Sequence, residues 1–316
     1  MTARREHTSP TPVILDVDPG HDDAVAIMLA CGAPDLELLA VTTVAGNVPL
    51  EKTTRNALRV LSLIGHLDVP VAAGASSPLY RPLRTAENIH GESGLDGPEI
   101  PDPSFDPDER GAVKLIADTL RTAPEPVTLV PVGPLTNVAL FLQEHPELKE
   151  RVARISLMGG SIGLGNTTPA AEFNVYVDPE AAREVFESGL PITMSGLDVT
   201  HLARAGSSER ERLRSLGRHG GVVAELLEFF AATYERIYGF DAPPLHDAVA
   251  VSAVLQPALL KTRQMRVDVE CESELTRGET VCDFYGITGK PSNAEVGVGL
   301  DREGFFELLY RSLGRL

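Results

Sequence analysis

Short apolar runs alternate with longer amphipathic segments along most of the chain. Residues 13–15 predict a buried strand, and residues 24–31 predict a buried helix after it. The next strand and helix are predicted at residues 36–43 and about 50–64. The same alternation recurs as far as residue 195, which indicates a mostly parallel sheet with helices on both faces. The last third is more helical and ends in a predicted hairpin and a closing helix. The predicted fold class is therefore α/β, with an open, mostly parallel central sheet flanked by helices, extra C-terminal helices and a small hairpin.

Four carboxylates lie where the first predicted strand gives way to the first helix: Asp16, Asp18, Asp22 and Asp23. Ligands of open α/β sheets bind at the carboxyl ends of strands. Acids this close repel one another unless a cation lies among them, and oxygen ligands suit calcium or magnesium better than zinc. The alternative is that Asp22 and Asp23 only cap the helix, whose N-terminus favours negative charge. Two further acids on the strand side favour the metal site.

Other polar residues follow predicted strands or begin later helices. Asn47 follows the second strand and is either a ligand of the same crevice or a turn residue. His90 lies in a long loop, residues 74–107, and is either a substrate contact or a solvated bystander. His246 and Asp247 precede a buried helix, where the acid could complete a metal site and the histidine could exchange a proton near neutral pH. The alternative for this pair is a helix cap.

Three aromatic residues are spaced by four along the predicted helix at residues 221–238: Phe230, Tyr234 and Tyr238. Residues at this spacing lie on one helix face. They are either core packing or the wall of a site for a planar ligand.

Composition excludes several classes of protein. A net charge of -17 argues against nucleic acid or an anionic membrane as partner. The three cysteines show no CxxC spacing, so the sequence indicates neither a disulfide framework nor a thiolate metal site, and a reducing cytoplasm fits. No run of 18 or more apolar residues predicts a membrane span. Residues 1–12 carry charge and proline without an apolar core of a signal peptide, and we expect a disordered extension before a catalytic domain at residues 13–316.

A series of segments resembles the inosine-uridine-preferring nucleoside hydrolase family, in order and over nearly the whole chain from residue 13. They are DVDPGHDD at 16–23, AGN at 45–47, HGESGLDGP at 90–98, VPVGPLTN at 130–137, LMGG at 157–160, GNTTPAAEFN at 165–174 and HD at 246–247. The resemblance implies an enzyme that hydrolyses the N-glycosidic bond of ribonucleosides to ribose and free base. It also implies a homodimer or homotetramer.

The resemblance implies one Ca²⁺ per chain, held by Asp18, Asp23, the backbone carbonyl of Val132 and Asp247. The family usually has threonine where this chain has Val132, a departure that should matter little because the ligand is a main-chain oxygen. Two ribose hydroxyls and a water would complete the six to eight oxygen ligands that calcium prefers.

The same resemblance assigns roles in the reaction. Asp18 would be the general base for the metal-bound water, Asp16 would support the site from behind, and His246 would protonate the leaving base. The implied substrate contacts are Asp22, Asn47, His90, Met158, Asn166, Glu172, Asn174, Phe230, Tyr234 and Tyr238. Glu172 beside the 5′-hydroxyl would repel a phosphate, which favours nucleosides over nucleotides. Purine or pyrimidine preference stays open, although Tyr234 near His246 favours the branch that accepts inosine and uridine.

Two other functions fit parts of the pattern. A phosphohydrolase of the haloacid dehalogenase class also begins with a strand and Asp-x-Asp, here Asp16 and Asp18, but it needs a threonine or valine where Gly20 stands and a crevice lysine. A calcium-dependent ligand carrier would bind ribose in the same way without turnover. Phosphate release would favour the first, and nucleoside binding without base release would favour the second.

Overall fold

The structure is a computed structural model that describes residues 9–316. The strands are β1 (Thr11–Val17), β2 (Leu36–Thr43), β3 (Val71–Ala73), β4 (Val127–Pro131), β5 (Val152–Met158), β6 (Ile192–Ser195), β7 (Leu260–Met265), β8 (Val267–Val269), β9 (Thr280–Cys282) and β10 (Ala294–Leu300). The α-helices are α1 (His21–Gly32), α2 (Leu50–Ile64), α3 (Glu87–His90), α4 (Ala112–Thr122), α5 (Thr136–Glu144), α6 (Phe173–Val177), α7 (Pro179–Glu187), α8 (Leu197–Thr200), α9 (Ser207–Arg214), α10 (Arg218–Tyr238), α11 (His246–Leu255) and α12 (Arg302–Leu313).

One sheet organises the described chain, with the strand order β3-β2-β1-β4-β5-β6-β10-β7. All neighbouring pairs are parallel except β10 and β7, which are antiparallel at the edge. The chain order reverses between β1 and β4, and ligands of such sheets bind in the crevice beyond the carboxyl ends of the strands at this point. The fold therefore places the residues after β1 and β4 at a natural binding position.

Apolar side chains cover both faces of the sheet. Val13 and Leu15 of β1 pack in the core that includes α1, α2 and α12. Ile14, between them, packs on the opposite face. Successive strand residues point to opposite faces, so a strand buried on both sides is a continuous apolar run. The predicted α/β sheet with helices on both faces is confirmed.

The boundaries agree with the sequence in most places and differ in three. β2 and α2 have the predicted bounds, and β8 pairs with β9 as the predicted hairpin. β1 begins at Thr11, inside the predicted 1–12 extension, because the Thr11 N–H donates to Asp35 O at 2.9 Å and extends the pairing with β2. Residues 1–8 of that extension lie outside the described residues.

Two further differences concern local elements. The long loop contains a one-turn helix, α3, that ends at His90. β7 and β10 of the main sheet were not predicted, and β7 is mostly polar and exposed at the edge. Within residues 9–316, every helix is too short or too polar to cross a membrane.

Candidate active site

Five buried carboxylates, called here the acid floor, lie at the carboxyl edge of the sheet: Asp16, Asp18, Asp22, Asp23 and Asp247. Asp23 closes the turn from β1 into α1, because its Oδ1 accepts from Asp18 N at 3.1 Å and its Oδ2 from Gly20 N at 2.9 Å. These bonds satisfy backbone donors before the helix, as in a capping box. Backbone geometry thus fixes the spacing of the acids.

Only one of the two carboxylate oxygens of Asp18 accepts a hydrogen bond from the described residues. Asn47 N donates to its Oδ2 at 2.7 Å, and the Asn47 amide donates to Asp18 O at 3.1 Å and to Asp23 Oδ2 at 3.3 Å. Asp18 Oδ1 is buried and has no hydrogen-bond partner among the described residues. A buried oxygen without a donor is costly, so Oδ1 is available to a ligand.

Asp22, Asp23 and Asp247 each offer an oxygen, and these oxygens lie within 4.8 Å of one another. Burial, and then the charge of Asp23, raises the pKa of Asp22 to about 8. Burial also raises the pKa values of Asp18, Asp23 and Asp247, and neighbouring carboxylates add to the rise for Asp18 and Asp247. A divalent cation would remove this repulsion.

The all-oxygen donor set and the unpartnered Asp18 Oδ1 fit a hard cation such as Ca²⁺. The expected metal ligands Asp23 and Asp247 lie close together in the structure. Asp22 lies with them, although the sequence predicted that Asp22 binds ribose. Asp18 adjoins this group through its backbone bond to Asp23. The carbonyl of Val132 lines the same cavity, where it accepts from Asn174 Nδ2 at 2.7 Å and retains a second lone pair.

Within the acid floor, Asp16 does not line the cavity and belongs to a hydrogen-bond network that the sequence did not reveal. Its Oδ1 accepts from Thr42 Oγ1 at 2.6 Å and from Asn137 Nδ2 at 2.7 Å. Asn137 also donates to Thr43 O at 3.0 Å. Burial raises the pKa of Asp16 to about 7. Asn137 stands in the VPVGPLTN segment, and this was the only sign of its role in the sequence.

The segment between β5 and α7 forms one wall of the cavity. Glu172 caps α6, since its carboxylate accepts from Gly160 N at 2.9 Å, Asn174 N at 2.8 Å and Val175 N at 3.1 Å. Burial raises the pKa of Glu172 to about 6. Asn174 Nδ2 also donates to Met158 O at 3.2 Å, and Asn166 Oδ1 accepts from Phe173 N at 3.0 Å. This wall is preorganised by backbone donors.

Five further residues form a group called here the base end: His90, Phe230, Tyr234, Tyr238 and His246. Phe230 and Tyr234 meet edge to face at 4.7 Å between ring centroids, and Tyr234 and Tyr238 are 4.9 Å apart. Tyr234 OH lies 2.8 Å from His246 Nε2, and Thr200 Oγ1 lies 2.7 Å from His246 Nδ1. Thr200 is a residue that the sequence analysis missed.

The electrostatics of His246 bear on its expected role. Burial and the nearby His201 hold the pKa of His246 well below its usual range. A neutral ring bonded on both nitrogens can relay a proton between its partners, and Tyr234 is the partner within the cavity. The pair therefore offers a hydrogen-bond donor at one end of the cavity.

Residues of the acid floor, the wall and the base end line one cavity of about 300 Å³. Its lining includes every expected substrate contact: Asp22, Asn47, His90, Met158, Asn166, Glu172, Asn174, Phe230, Tyr234 and Tyr238. His246 and Asp247 line it as well, whereas Asp16, Asp18 and Asp23 are not part of the lining. Arg84, Thr85 and Asn88 of the long loop also line the cavity, and the sequence did not single them out.

Known proteins resemble this chain over nearly its whole length. Residues 13–307 match the model of a family described as inosine-uridine preferring nucleoside hydrolase. The pyrimidine-specific ribonucleoside hydrolase RihA of Citrobacter koseri is 53% identical over 304 residues, covering 96% of this chain and 97% of the relative. The RihA of Salmonella arizonae is also 53% identical, over 96% of this chain and 98% of its own. A solved purine-preferring ribonucleoside hydrolase from Gardnerella vaginalis superposes with a TM-score of 0.90 at 34% identity, covering 96% of this chain and 98% of that one.

Proposed function

The chain belongs to the inosine-uridine preferring nucleoside hydrolase family and is a ribonucleoside hydrolase, and from this premise we propose that it hydrolyses pyrimidine ribonucleosides with the help of one Ca²⁺ per chain. The products are ribose and the free base. The observation that carries the proposal is a single cavity with clustered carboxylates below and a Tyr234–His246 donor pair at one end.

Calcium would be held by Asp18, Asp23, Asp247 and the carbonyl of Val132, with Asp22 beside them. When bound, the cation would offset the repulsion within the acid floor and lower the pKa of the attacking water. The remaining chemistry belongs to side chains of this chain.

Asp18 is the proposed general base. Asn47 N fixes its Oδ2, and the carboxylate would accept the proton of the water that attacks the anomeric carbon. As the N-glycosidic bond breaks, positive charge develops on the sugar ring, and the acid floor stabilises it electrostatically. Asp16, tied to Thr42 and Asn137, keeps the strand end in place.

The departing base leaves with negative charge that must be neutralised. His246 and Tyr234 form the proposed proton-donating pair, and Thr200 fixes the ring of His246 from behind. Phe230 and Tyr238 provide apolar ring surface for a planar base. Removing this donor would slow poor leaving groups most.

The sugar is bound by the polar wall. Asp22 and Asn47 would hold ribose hydroxyls near the acid floor, and Asn166, Glu172 and Asn174 would hold the 5′ side, with Met158 packed against the ring. The buried carboxylate of Glu172 would repel a 5′-phosphate. The substrate is therefore a nucleoside in preference to a nucleotide.

Pyrimidine preference is supported by two observations. The 53% identical relatives are named as pyrimidine-specific, whereas the purine-preferring structure is 34% identical. A cavity of about 300 Å³ is at the small end of ligand pockets, which favours a single-ring base.

The phosphohydrolase alternative lacks support at the cavity. Among its described lining residues, there is no lysine to stabilise a phosphoryl group.

Residues 13–316 are proposed to form the catalytic domain, and the homodimer or homotetramer and the cytoplasmic location stay predictions.

A nucleoside panel tests the proposal. Uridine, cytidine, inosine and guanosine are incubated with the purified protein and Ca²⁺, and free base and reducing sugar are measured, with uridine 5′-monophosphate and p-nitrophenyl phosphate alongside. We expect base and ribose in equal amounts, with uridine and cytidine favoured. Faster turnover of inosine or guanosine would overturn the pyrimidine preference. Release of phosphate would favour the phosphohydrolase, and nucleoside binding without base release would favour the carrier.

A further inference from the structure

A second histidine lies buried beside the base end without a role in the mechanism above. His21, the first residue of α1, has no exposed surface. Its ring stacks with that of His90 at 5.3 Å between centroids and 22° between planes. Phe229 and Phe230 stack with His21 at 5.2 Å each, with planes 10° apart. His21 thus connects the start of α1 to a residue of the base end.

Hydrogen bonds restrict where the protons of both rings can lie. His21 Nε2 lies 2.8 Å from Asp96 O, and a carbonyl only accepts, so His21 Nε2 carries the hydrogen. The backbone N–H of His21 donates to His90 Nδ1 at 3.2 Å, and a backbone N–H only donates. A neutral imidazole with an accepting Nδ1 carries its hydrogen on Nε2.

The opposite tautomer of His90 fits the same contacts less well. His90 could donate from Nδ1 to His21 Nδ1, 3.1 Å away. That arrangement would point the backbone N–H of His21 at another N–H and leave a buried donor at the start of α1 without an acceptor. Hydrogen on Nε2 keeps the backbone bond but leaves the two Nδ1 lone pairs 3.1 Å apart with no hydrogen between them. We place the hydrogen on Nε2 because this satisfies the backbone donor at the start of α1.

The remaining nitrogen of His90 is free for a ligand. His90 lines the cavity and packs on Phe230 at 5.1 Å between ring centroids. Its Nε2 has no hydrogen-bond partner among residues 9–316. This atom is not fully buried, so a ligand can reach it. Tyr234 and His246 line the same cavity as His90.

Local backbone features hold the two rings together. A Cβ on Gly20 would lie 2.4 Å from His90 Nδ1, so glycine there allows the ring to approach α1. Asp96 folds its own turn, because its carboxylate accepts from Glu92 N at 3.0 Å and Ser93 N at 3.1 Å. The carbonyl of Asp96 is therefore a fixed acceptor for His21.

We infer that His21 is a positioning residue that holds His90 with its hydrogen on Nε2, so that His90 donates to the exocyclic carbonyl oxygen next to the glycosidic nitrogen of a pyrimidine. This oxygen shares the negative charge that develops as the base leaves, so a donor there assists departure. The inference rests on the proposed function and names a second donor for it, separate from His246.

Paired substitutions at His21 test the role of the ring. Glutamine can place an amide N–H where Nε2 lies and keep the bond to Asp96 O, whereas leucine fills space without a donor. We expect His21→Leu to lower kcat on uridine by about 10- to 100-fold. It should spare p-nitrophenyl riboside, whose leaving group needs no donor, and His21→Gln should restore most of the rate on uridine. Equal losses on both substrates in His21→Leu, or wild-type kcat on uridine, would overturn the inference.

Nitrogen NMR tests the tautomer without relying on turnover. The protein is labelled with ¹⁵N-histidine, and the signals of His90 are identified by their absence in His90→Gln. We expect His90 Nε2 to be protonated and Nδ1 to be unprotonated in wild type, and the signals to shift toward mixed tautomers in His21→Leu. A protonated Nδ1 in wild type would overturn the inference. Failure of the proposed function would show differently, as wild-type protein without activity on uridine.

Discussion

The acid floor and the base end belong to one site but are built in different ways. Four of the five acids come from residues 16–23 and are fixed largely by backbone donors such as Asp18 N, Gly20 N and Asn47 N. The base end joins residues of α3, α10 and α11 through ring contacts and one bond between side chains, Tyr234 to His246. The acid floor is therefore positioned largely by backbone donors, whereas the base end is held together by contacts between side chains.

This contrast leads to different expectations for substitutions. A change in the acid floor should affect every substrate alike, because all share the ribose and the attacking water. A change at the base end should affect substrates according to how much their leaving group needs a proton. Each prediction below tests one side of this contrast.

The largest effect is expected for Asp18→Asn. Asparagine keeps an oxygen to accept from Asn47 N but cannot accept a proton, so kcat should fall by about 10²- to 10⁴-fold. The fall should be similar for uridine and for p-nitrophenyl riboside, measured as initial rates. Asp16→Asn is the matched control, because Asp16 lies behind the site, and its loss should be smaller. A rate near wild type in Asp18→Asn would contradict the assignment of the base.

His246→Ala should have a selective effect. Without the Tyr234–His246 pair, kcat on uridine should fall by about 10²-fold, while p-nitrophenyl riboside should be hydrolysed at nearly the wild-type rate. His219→Ala on α10 controls for loss of a histidine, because His219 bonds Leu63 O and is not among the residues that line the cavity. Equal loss on both substrates in His246→Ala would contradict a role in protonating the leaving base, because such a loss is the pattern expected for a change in the acid floor.

The smallest effect is expected for Glu172→Gln. Glu172 is distant in sequence from the acid floor but is likewise held by backbone donors. Wild type should prefer uridine to 5′-deoxyuridine. In the variant the ratio of the two kcat/KM values should be about tenfold smaller, mainly because KM for uridine rises. The two kcat/KM values, with the Tm of each protein, measure this. An unchanged preference would show that Glu172 does not bind the 5′-hydroxyl.

The two regions also differ in how far the sequence predicts them. Asp16, Asp18, Asp22 and Asp23 stand together in the sequence at a strand–helix junction, so their convergence follows from the local pattern alone. The strand order that brings Asp247 to them is set by tertiary packing, and only the family resemblance indicated it. The ranges of β2 and α2 were predicted because a buried strand and an amphipathic helix have distinct periods.

The residues that sequence analysis missed act through long-range side-chain contacts. Thr200 reaches His246 from α8, Asn137 reaches Asp16 from α5, and Asp96 reaches His21 from the long loop. Each looks like an ordinary turn or helix residue in its local sequence. The edge strand β7 was missed for a related reason: a polar, exposed edge carries little periodic signal.

The central claim is that the acid floor binds a calcium ion that catalysis requires. The direct measurement is the calcium content and activity of the purified protein before and after chelation, with Asp247→Asn measured in parallel. We expect about one Ca²⁺ per chain in wild type, loss of uridine hydrolysis on chelation, recovery with added Ca²⁺, and much weaker binding in Asp247→Asn. Full activity in metal-free wild-type protein would contradict it.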